Sequence, residues 1–109
     1  MTYGDGLAER IRSILRDESG VTEREMFGGL AFMLDGNMVC GVIEDSLMAR
    51  VGPDAYEDAL EKHHVRPMDF TGRPMRGMVF VDPPGIAADE ALENWVDRCM
   101  AFARSLPAN

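Results

Sequence analysis

The sequence lacks the features that mark secreted and membrane-spanning chains. It has two cysteines, Cys40 and Cys99, which lie far apart and form no CxxC pair. Its N-terminus, MTYGDGLAERIRSIL, has no basic stretch followed by an apolar one, as a secretory signal would have. No apolar run approaches the roughly 20 residues that span a bilayer. These absences predict a cytoplasmic protein with reduced thiols and no membrane role.

Positive charge and histidine are also scarce. Lys and Arg number 11 against 19 Asp and Glu, and the formal net charge is −8. Proteins that hold nucleic acid through its phosphates usually carry a basic face, so we expect no direct nucleic-acid binding. The only histidines, His63 and His64, are adjacent, and neighbouring side chains on a helix point about 100° apart. We therefore predict no metal site.

Catalytic patterns are missing as well. Cys40 lies in the apolar segment MVCGV and Cys99 on an apolar helical stripe, where a thiol packs as a small apolar side chain. No serine stands in a nucleophile motif, and the carboxylates form no recognisable pair. The sequence therefore predicts no catalytic residue, no cofactor and a non-enzymatic protein.

The sequence does contain enough apolar material for one domain. With 109 residues and 46% hydrophobic content, residues 1–109 are predicted to form a single domain with one core. A first helix is predicted from Leu7 to Leu15, followed by a stop at Gly20, and PDAYEDALEKH predicts a middle helix with Pro53 in its first turn. The strongest amphipathic pattern starts at Asp89 and predicts a last helix. Its apolar positions are Leu92, Trp95, Val96, Cys99, Phe102, Ala103 and Leu106.

Short apolar segments between the helices predict antiparallel strands. They are VTEREM, GLAFML, NMVCGVI, SLMARV and, later in the chain, GMVFVD. Before the last of them, HVRPMDFTGRPMR contains two Arg-Pro pairs, which exclude regular structure and predict an ordered loop packed by Met68 and Phe70. The order of elements predicts an α+β fold, in which N-terminal, middle and C-terminal helices flank an antiparallel β-sheet in a two-layer sandwich.

Asp35-Gly36 predicts a tight hairpin, because both central residues of a type I′ turn need positive φ. The expected opposite pairs are Leu34 with Asn37, Met33 with Met38, Phe32 with Val39, and Ala31 with Cys40. Both faces of this hairpin are then apolar, so each needs a cover. The domain's helices would cover one face and a second copy of the chain the other. We therefore expect a homodimer, with Met33 and Met38 equally suited to a core or an interface.

The double glycine in REMFGGLAF has two interpretations, a phosphate-cradling loop or a tight turn. Gly28 and Gly29 match neither GxxxxGK[ST] nor GxGxxG, and they fall between two predicted strands rather than at a helix start. A bulge or tight turn is therefore favoured. The alternative is a small-anion or nucleotide site in this region.

Five arginines could meet once the strands assemble and hold an anion: Arg24, Arg50, Arg66, Arg73 and Arg76. The segment from Lys62 to Arg76 is locally basic within an acidic chain. The simpler interpretation pairs the arginines with carboxylates in surface ion pairs, and we favour it. The expected carboxylates include Glu23, Glu25, Glu44 and Asp69.

Three separated segments carry a family resemblance. They are EMFGGLAFMLDGNMVCGVIEDSLMARVGPDAYEDAL, RPMDFTGRPMRGMVFVDPPG and LENWV, within the span from about Val21 to Leu106. In this order they resemble the N-terminal domain of the TfoX/Sxy family, whose founding members regulate natural competence. The resemblance implies an α+β domain and a non-enzymatic, regulatory role with the cyclic-AMP receptor protein at promoters. Those members carry a second, C-terminal region that this sequence does not contain, so we expect a stand-alone domain.

The leading prediction is a cytoplasmic protein-interaction module with a transcription-regulatory, competence-related role. Its partner, a protein of the transcription machinery, would contact the loop HHVRPMDFTGRPMR or the methionine face of the hairpin. The alternative is a small-anion or nucleotide-binding protein or enzyme that uses the double glycine and nearby arginines. The binding residues predicted across these hypotheses are Arg24, Phe27, Gly28, Gly29, Arg50, Arg66, Phe70, Arg73 and Arg76.

Overall fold

Six strands and three α-helices make up the part of the chain that the structure describes. The structure is a computed structural model and describes residues 5–26, 28–68 and 75–107. In chain order the elements are α1 (Asp5–Ile14), β1 (Val21–Met26), β2 (Gly29–Leu34), β3 (Asn37–Ile43), β4 (Ser46–Arg50), α2 (Tyr56–Leu60), β5 (Val65–Pro67), β6 (Met78–Val81), a 3-10 helix (Pro83–Ile86) and α3 (Asp89–Arg104). The predicted α+β class is confirmed.

The strands form one antiparallel sheet in the order β1-β2-β3-β4-β6-β5. Tight hairpins join the first four strands, so chain neighbours are sheet neighbours. The α2 helix and β5 come between β4 and β6, and β6 then returns to pair with β4. This return brings the start of β6 beside the end of β4, since Arg50 lies opposite Met78.

The helices pack on one face of the sheet and bury the main core. The α3 helix follows its predicted apolar stripe, with Leu92, Val96 and Cys99 buried against the strands. Asp89 lies in its first turn and Arg104 in its last, which complements the helix dipole. The α2 helix is shorter than predicted: it begins at residue 56, so Pro53 lies in the turn before it and not in its first turn.

The register of the β2–β3 hairpin differs from the prediction. Met33 lies opposite Met38 as expected, but Phe32 lies opposite Cys40, not opposite Val39, and Ala31 lies opposite Gly41. A β-bulge between Phe32 and Met33 causes the shift, because it sets one extra residue of β3 against β2. Cys40 therefore belongs to the helix-side core with Phe32, and the predicted place of Cys40 on the methionine face is wrong.

The prediction that HVRPMDFTGRPMR has no regular structure is wrong for its first residues. Val65–Pro67 forms β5, which pairs with β6 at the edge of the sheet. An edge strand bonds a neighbour on one side only, so a proline at its end costs no sheet hydrogen bond. Phe70 and most of the remaining loop lie outside the described residues.

The second face of the sheet is covered by the chain's own residues. Met68, which follows β5, is fully buried in a cluster with Met48, Met78 and Phe80 on this face. Met68 is therefore buried against the sheet, while the rest of the loop that it was expected to pack lies outside the described residues. Met33 is only 8% exposed within the single chain. The homodimer, which was expected because both faces of the hairpin are apolar, remains a prediction; on the second face Met33 is buried within the single chain and Met38 is half-buried.

Candidate functional site

Gly28 and Gly29 form a turn and a close strand contact. The pairing of Met26 with Gly29 leaves a two-residue connection between β1 and β2, and Gly28 has a φ of 76°. A Cβ on Gly28 would meet nothing within 4 Å, whereas a Cβ on Gly29 would overlap the carbonyl oxygen of Val42. The two glycines are therefore required for different reasons, one for its dihedral angle and one for its lack of volume.

The surface around the double glycine is a poor place for an anion. A shallow cleft of about 260 Å³ is lined by Glu25, Met26, Gly28 and Gly29. Glu25 is exposed there and would repel a phosphate or a carboxylate. Arg24, predicted to help bind an anion, is not among the lining residues, and Phe27 lies outside the described residues.

Arg66 is held in an ion pair that the sequence did not predict. Its Nε donates hydrogen bonds to both carboxylate oxygens of Asp82, at 2.9 and 3.0 Å, and its guanidinium lies 4.9 Å from the centre of the Phe80 ring. The hydrogen bonds from Arg66 lower the pKa of Asp82 and, in return, raise the pKa of Arg66. The favoured interpretation, a paired surface arginine, is right for Arg66, although with a carboxylate not named beforehand.

Among the described residues, Arg50 and Arg76 are the two predicted arginines that the fold brings together, and Arg73 lies outside the described residues. They line a small cleft of about 80 Å³, whose other walls are Gly52, Pro53, Gly77, Met78 and Phe102. The side chain of Arg50 lies 5.3 Å from the centre of the Phe102 ring. The ion pairs of the described residues are made by Arg10, Arg12, Arg66 and Arg104, so neither Arg50 nor Arg76 has an ion-pair partner within that part of the chain.

The backbone around this cleft is fixed by a shared acceptor. The N–H groups of Val51 and Gly52 both donate to the carbonyl oxygen of Gly77, at 2.9 and 3.1 Å. The Phe102 ring packs on Gly52 so closely that a Cβ there would lie 2.5 Å from a ring carbon. Sequence analysis missed Gly52 and Phe102 as parts of a site. The only hint in the sequence was that Gly52-Pro53 and Gly77 are turn-forming residues next to predicted strands.

The outer edge of β1 is the longest open strand edge of the described residues. Thr22, Glu23, Arg24 and Glu25 are exposed, and β1 ends the sheet on this side. The carbonyl oxygen of Gly20, just before the strand, accepts a hydrogen bond from the N–H of Asp35. Because backbone groups alternate in direction along a strand, those of residues 22, 24 and 26 face β2. Those of Val21, Glu23 and Glu25 point outward and pair with no described strand.

An ion pair holds β1 against α1. Arg12 donates to both carboxylate oxygens of Glu23, each at 2.8 Å, and also pairs with Glu9. These hydrogen bonds lower the pKa of Glu23 and raise the pKa of Arg12. Glu25 has no such partner among the described residues and presents a free carboxylate beside the strand edge.

The thiols are unsuited to nucleophilic chemistry. Cys40 and Cys99 are both free and fully buried. Burial raises the pKa of Cys40 well above the ordinary thiol value and the pKa of Cys99 to about 12, because the charged thiolate is poorly solvated there. Within residues 5–26, 28–68 and 75–107, no three His, Cys, Asp or Glu side chains are grouped so that they could hold a metal.

Two wider clefts lie beside α2 and α3 and differ in their charges. One of about 440 Å³ is lined by Lys62, Trp95 and Arg98, with Arg98 lying 5.2 Å from the Trp95 ring. The other, of about 570 Å³, adds the carboxylates of Asp58 and Glu61. Among the described lining residues, the first cleft thus has only positive charges, whereas the second has both signs and defines no single class of ligand.

The comparisons with known proteins identify the family of this α+β domain. A family model described as the TfoX N-terminal domain matches residues 13–103. This span is most of the 109-residue chain, so the chain belongs to the TfoX N-terminal domain family, and the resemblance seen in the sequence is confirmed. No curated protein and no solved structure matches the chain. Across the described helices, none is long and apolar enough to cross a membrane.

Proposed function

We propose that this domain is a non-enzymatic protein-interaction module that binds an extended segment of a partner protein along β1. The open backbone edge of β1 is the observation that carries the proposal. Unpaired N–H and C=O groups at a sheet edge can hydrogen-bond an added strand, and pockets or charges beside them select its side chains. The two surfaces first expected to bind are less suitable, because Met33 is buried and Arg66 is already paired with Asp82.

Charge defines the partner as a basic segment. Glu23 and Glu25 lie on the same side of β1, where Glu23 is held by Arg12 and Glu25 has no ion pair among the described residues, so an added strand would meet one free carboxylate. The formal net charge of −8 also attracts basic partners over a longer range. The partner segment should therefore carry a Lys or Arg beside Glu25.

A second copy of β1 fits this edge badly. Only Val21, Glu23 and Glu25 turn their backbone groups outward, so an antiparallel copy centred on the strand would set Glu23 opposite the same residue of the copy. A register that sets Glu23 opposite Arg24 of the copy is excluded, because the backbone groups of Arg24 face β2 and cannot bond the copy. Like charges directly opposite destabilise a strand pair, and this favours a different protein as partner.

The family suggests the biological setting. A regulatory role in transcription, related to natural competence, is implied by membership of the TfoX N-terminal domain family and forms the finer part of the proposal. The high thiol pKa of the buried cysteines supports a non-enzymatic role, since it removes the strongest nucleophiles of the chain. The cytoplasmic setting and the homodimer stay predictions, the latter testable by light scattering across the micromolar range.

Two substitutions at one position test the proposal. Glu25→Pro removes the outward N–H of residue 25. It keeps the hydrogen bonds between β1 and β2, since proline is tolerated at a strand edge. In Glu25→Thr the charge is lost but the N–H remains, which makes it the matched control. Proteins captured from lysate on the immobilised wild-type chain would be identified by mass spectrometry and retested as purified pairs with each variant.

We expect the bound protein to lose at least about tenfold in affinity with Glu25→Pro and less with Glu25→Thr. Exchange of amide hydrogens in the purified complex should slow at Val21, Glu23 and Glu25. Equal binding by wild type and Glu25→Pro, with no slowing at these amides, would overturn the strand-addition proposal. An Arg66→Ala variant reports separately whether the basic loop is the contact.

A further inference from the structure

We propose that the cleft between Arg50 and Arg76 binds one phosphate group, either inorganic phosphate or the phosphate of a small monoester. This site is separate from β1 and does not depend on the strand-addition proposal. It also differs from the anion site predicted at the double glycine. Its basis is the juxtaposition of two unpaired guanidinium groups across a small cleft in an acidic chain.

The size of the cleft limits the ligand to a single oxyanion group. At about 80 Å³ it is far smaller than the roughly 300–1,000 Å³ of pockets that enclose a whole nucleotide or cofactor. The rest of a monoester would extend over the exposed surface near Pro53 and Arg76. The nucleotide version of the anion hypothesis therefore does not suit this cleft.

Arg50 is held in place before any ligand arrives. It is half-buried, its guanidinium lies 5.3 Å from the centre of the Phe102 ring, and its Nη1 is 3.4 Å from the carbonyl oxygen of Met38. The contacts with Phe102 and Met38 hold the guanidinium of Arg50, and no described residue accepts a hydrogen bond from its other N–H groups. A stacked and pre-oriented guanidinium loses little conformational freedom on binding an oxyanion.

Arg76 is positioned relative to Arg50 by backbone bonds. Its neighbour Gly77 accepts hydrogen bonds from Val51 and Gly52, which directly follow Arg50 at the end of β4. The Arg76 side chain itself is exposed and can therefore close over a ligand. No carboxylate of the described residues lies within 4.0 Å of either guanidinium group, so neither forms an ion pair within that part of the chain.

The charge of the site favours phosphate over carboxylate. Two guanidinium groups supply two positive charges and forked donors, which match a dianion with three or four oxygens. A carboxylate carries one charge and two oxygens, so it would satisfy one arginine. Binding should follow the ionisation of the ligand and strengthen as phosphate becomes a dianion.

Nuclear magnetic resonance titration of the whole chain tests the site. Sodium phosphate, methyl phosphate and sodium acetate would be added separately at matched ionic strength, while the amide signals of Gly52 and Gly77 and the Nε signal of Arg50 are followed. We expect saturable shifts with both phosphates, at least about tenfold weaker binding of acetate, and stronger phosphate binding at pH 8 than at pH 5.5. A larger effect of methyl phosphate than of inorganic phosphate would assign the site to monoesters, and the reverse order to the free ion.

Three variants locate the binding. Arg76→Gln should weaken phosphate binding at least about tenfold, and Arg50→Lys should weaken it comparably, because lysine keeps the charge but not the forked, stacked geometry. Arg24→Gln is the matched control, because Arg24 is also an exposed arginine but lies on β1. This variant should bind phosphate as the wild type does. Absence of saturable shifts, equal binding of acetate, or equal losses in Arg76→Gln and Arg24→Gln would each overturn the proposal.

Discussion

The double glycine offers the sharpest test of how this sequence specifies its fold. In Gly29→Ala the added methyl group would overlap the Val42 carbonyl oxygen and lie 3.1 Å from the Val42 carbonyl carbon. Both are backbone atoms of the neighbouring strand, so β2 and β3 would have to separate locally. Such overpacking lowers the free energy of unfolding by about 3 kcal/mol.

Gly28→Ala should cost less and for another reason. Its methyl group would meet nothing within 4 Å, but the φ of 76° lies in the left-handed region. A residue with a Cβ held there loses about 1 kcal/mol of stability. Asparagine tolerates this region, so Gly28→Asn should recover part of the loss, whereas Gly29→Asn should be at least as harmful as Gly29→Ala.

Urea unfolding of the four variants, followed by circular dichroism, measures these differences as shifts in the transition midpoint. The reasoning would be refuted if Gly28→Ala were as destabilising as Gly29→Ala, or if asparagine helped at position 29 and not at position 28. A phosphate effect on the midpoint that both Gly28 variants abolish would instead favour the anion-loop interpretation of these glycines.

Three further predictions concern the core and the ion pairs. Met68→Ala should lower the free energy of unfolding by about 3 kcal/mol in urea, because Met68 is fully buried on the second face. The pairing of Glu23 with Arg12 lowers the pKa of Glu23, so its contribution is complete above about pH 4.3 and is lost as the pH falls through the lower folded value. Glu23→Gln should therefore flatten the acid side of the stability curve, by less than about 1 kcal/mol because the pair is partly exposed. Ellman's reagent at pH 8 should modify neither Cys40 nor Cys99 in the native chain and both in urea; a native reaction would contradict their burial.

Local signals made most of the fold predictable. The Asp35-Gly36 turn has the positive φ values that its residues predict, 49° and 86°, and the apolar runs on either side became β2 and β3. The bulge was not predictable in the same way. Val39 and Cys40 are both apolar and both belong to the helix-side core, so the pattern contains no polar residue that would mark the break in alternation.

Features that depend on distant contacts were harder to predict. Val65–Pro67 becomes a strand only because β6 offers it a free edge, and its own arginine and proline argue for a loop. The meeting of Arg50 with Arg76 depends on the pairing of β4 with β6 across α2 and β5. The sequence could name these arginines as candidates but could not say which of the five would share a cleft.

Amide hydrogen exchange along β1 tests the central claim, the open strand edge, most directly. In the free chain we predict slow exchange at Thr22, Arg24 and Met26, whose N–H groups face β2, and fast exchange at Glu23 and Glu25. Binding of a partner protein should slow amide exchange at Glu23 and Glu25. It should leave the exchange at Thr22, Arg24 and Met26 unchanged. Slow exchange at Glu23 and Glu25 in the free chain, or fast exchange there in the complex, would contradict the account.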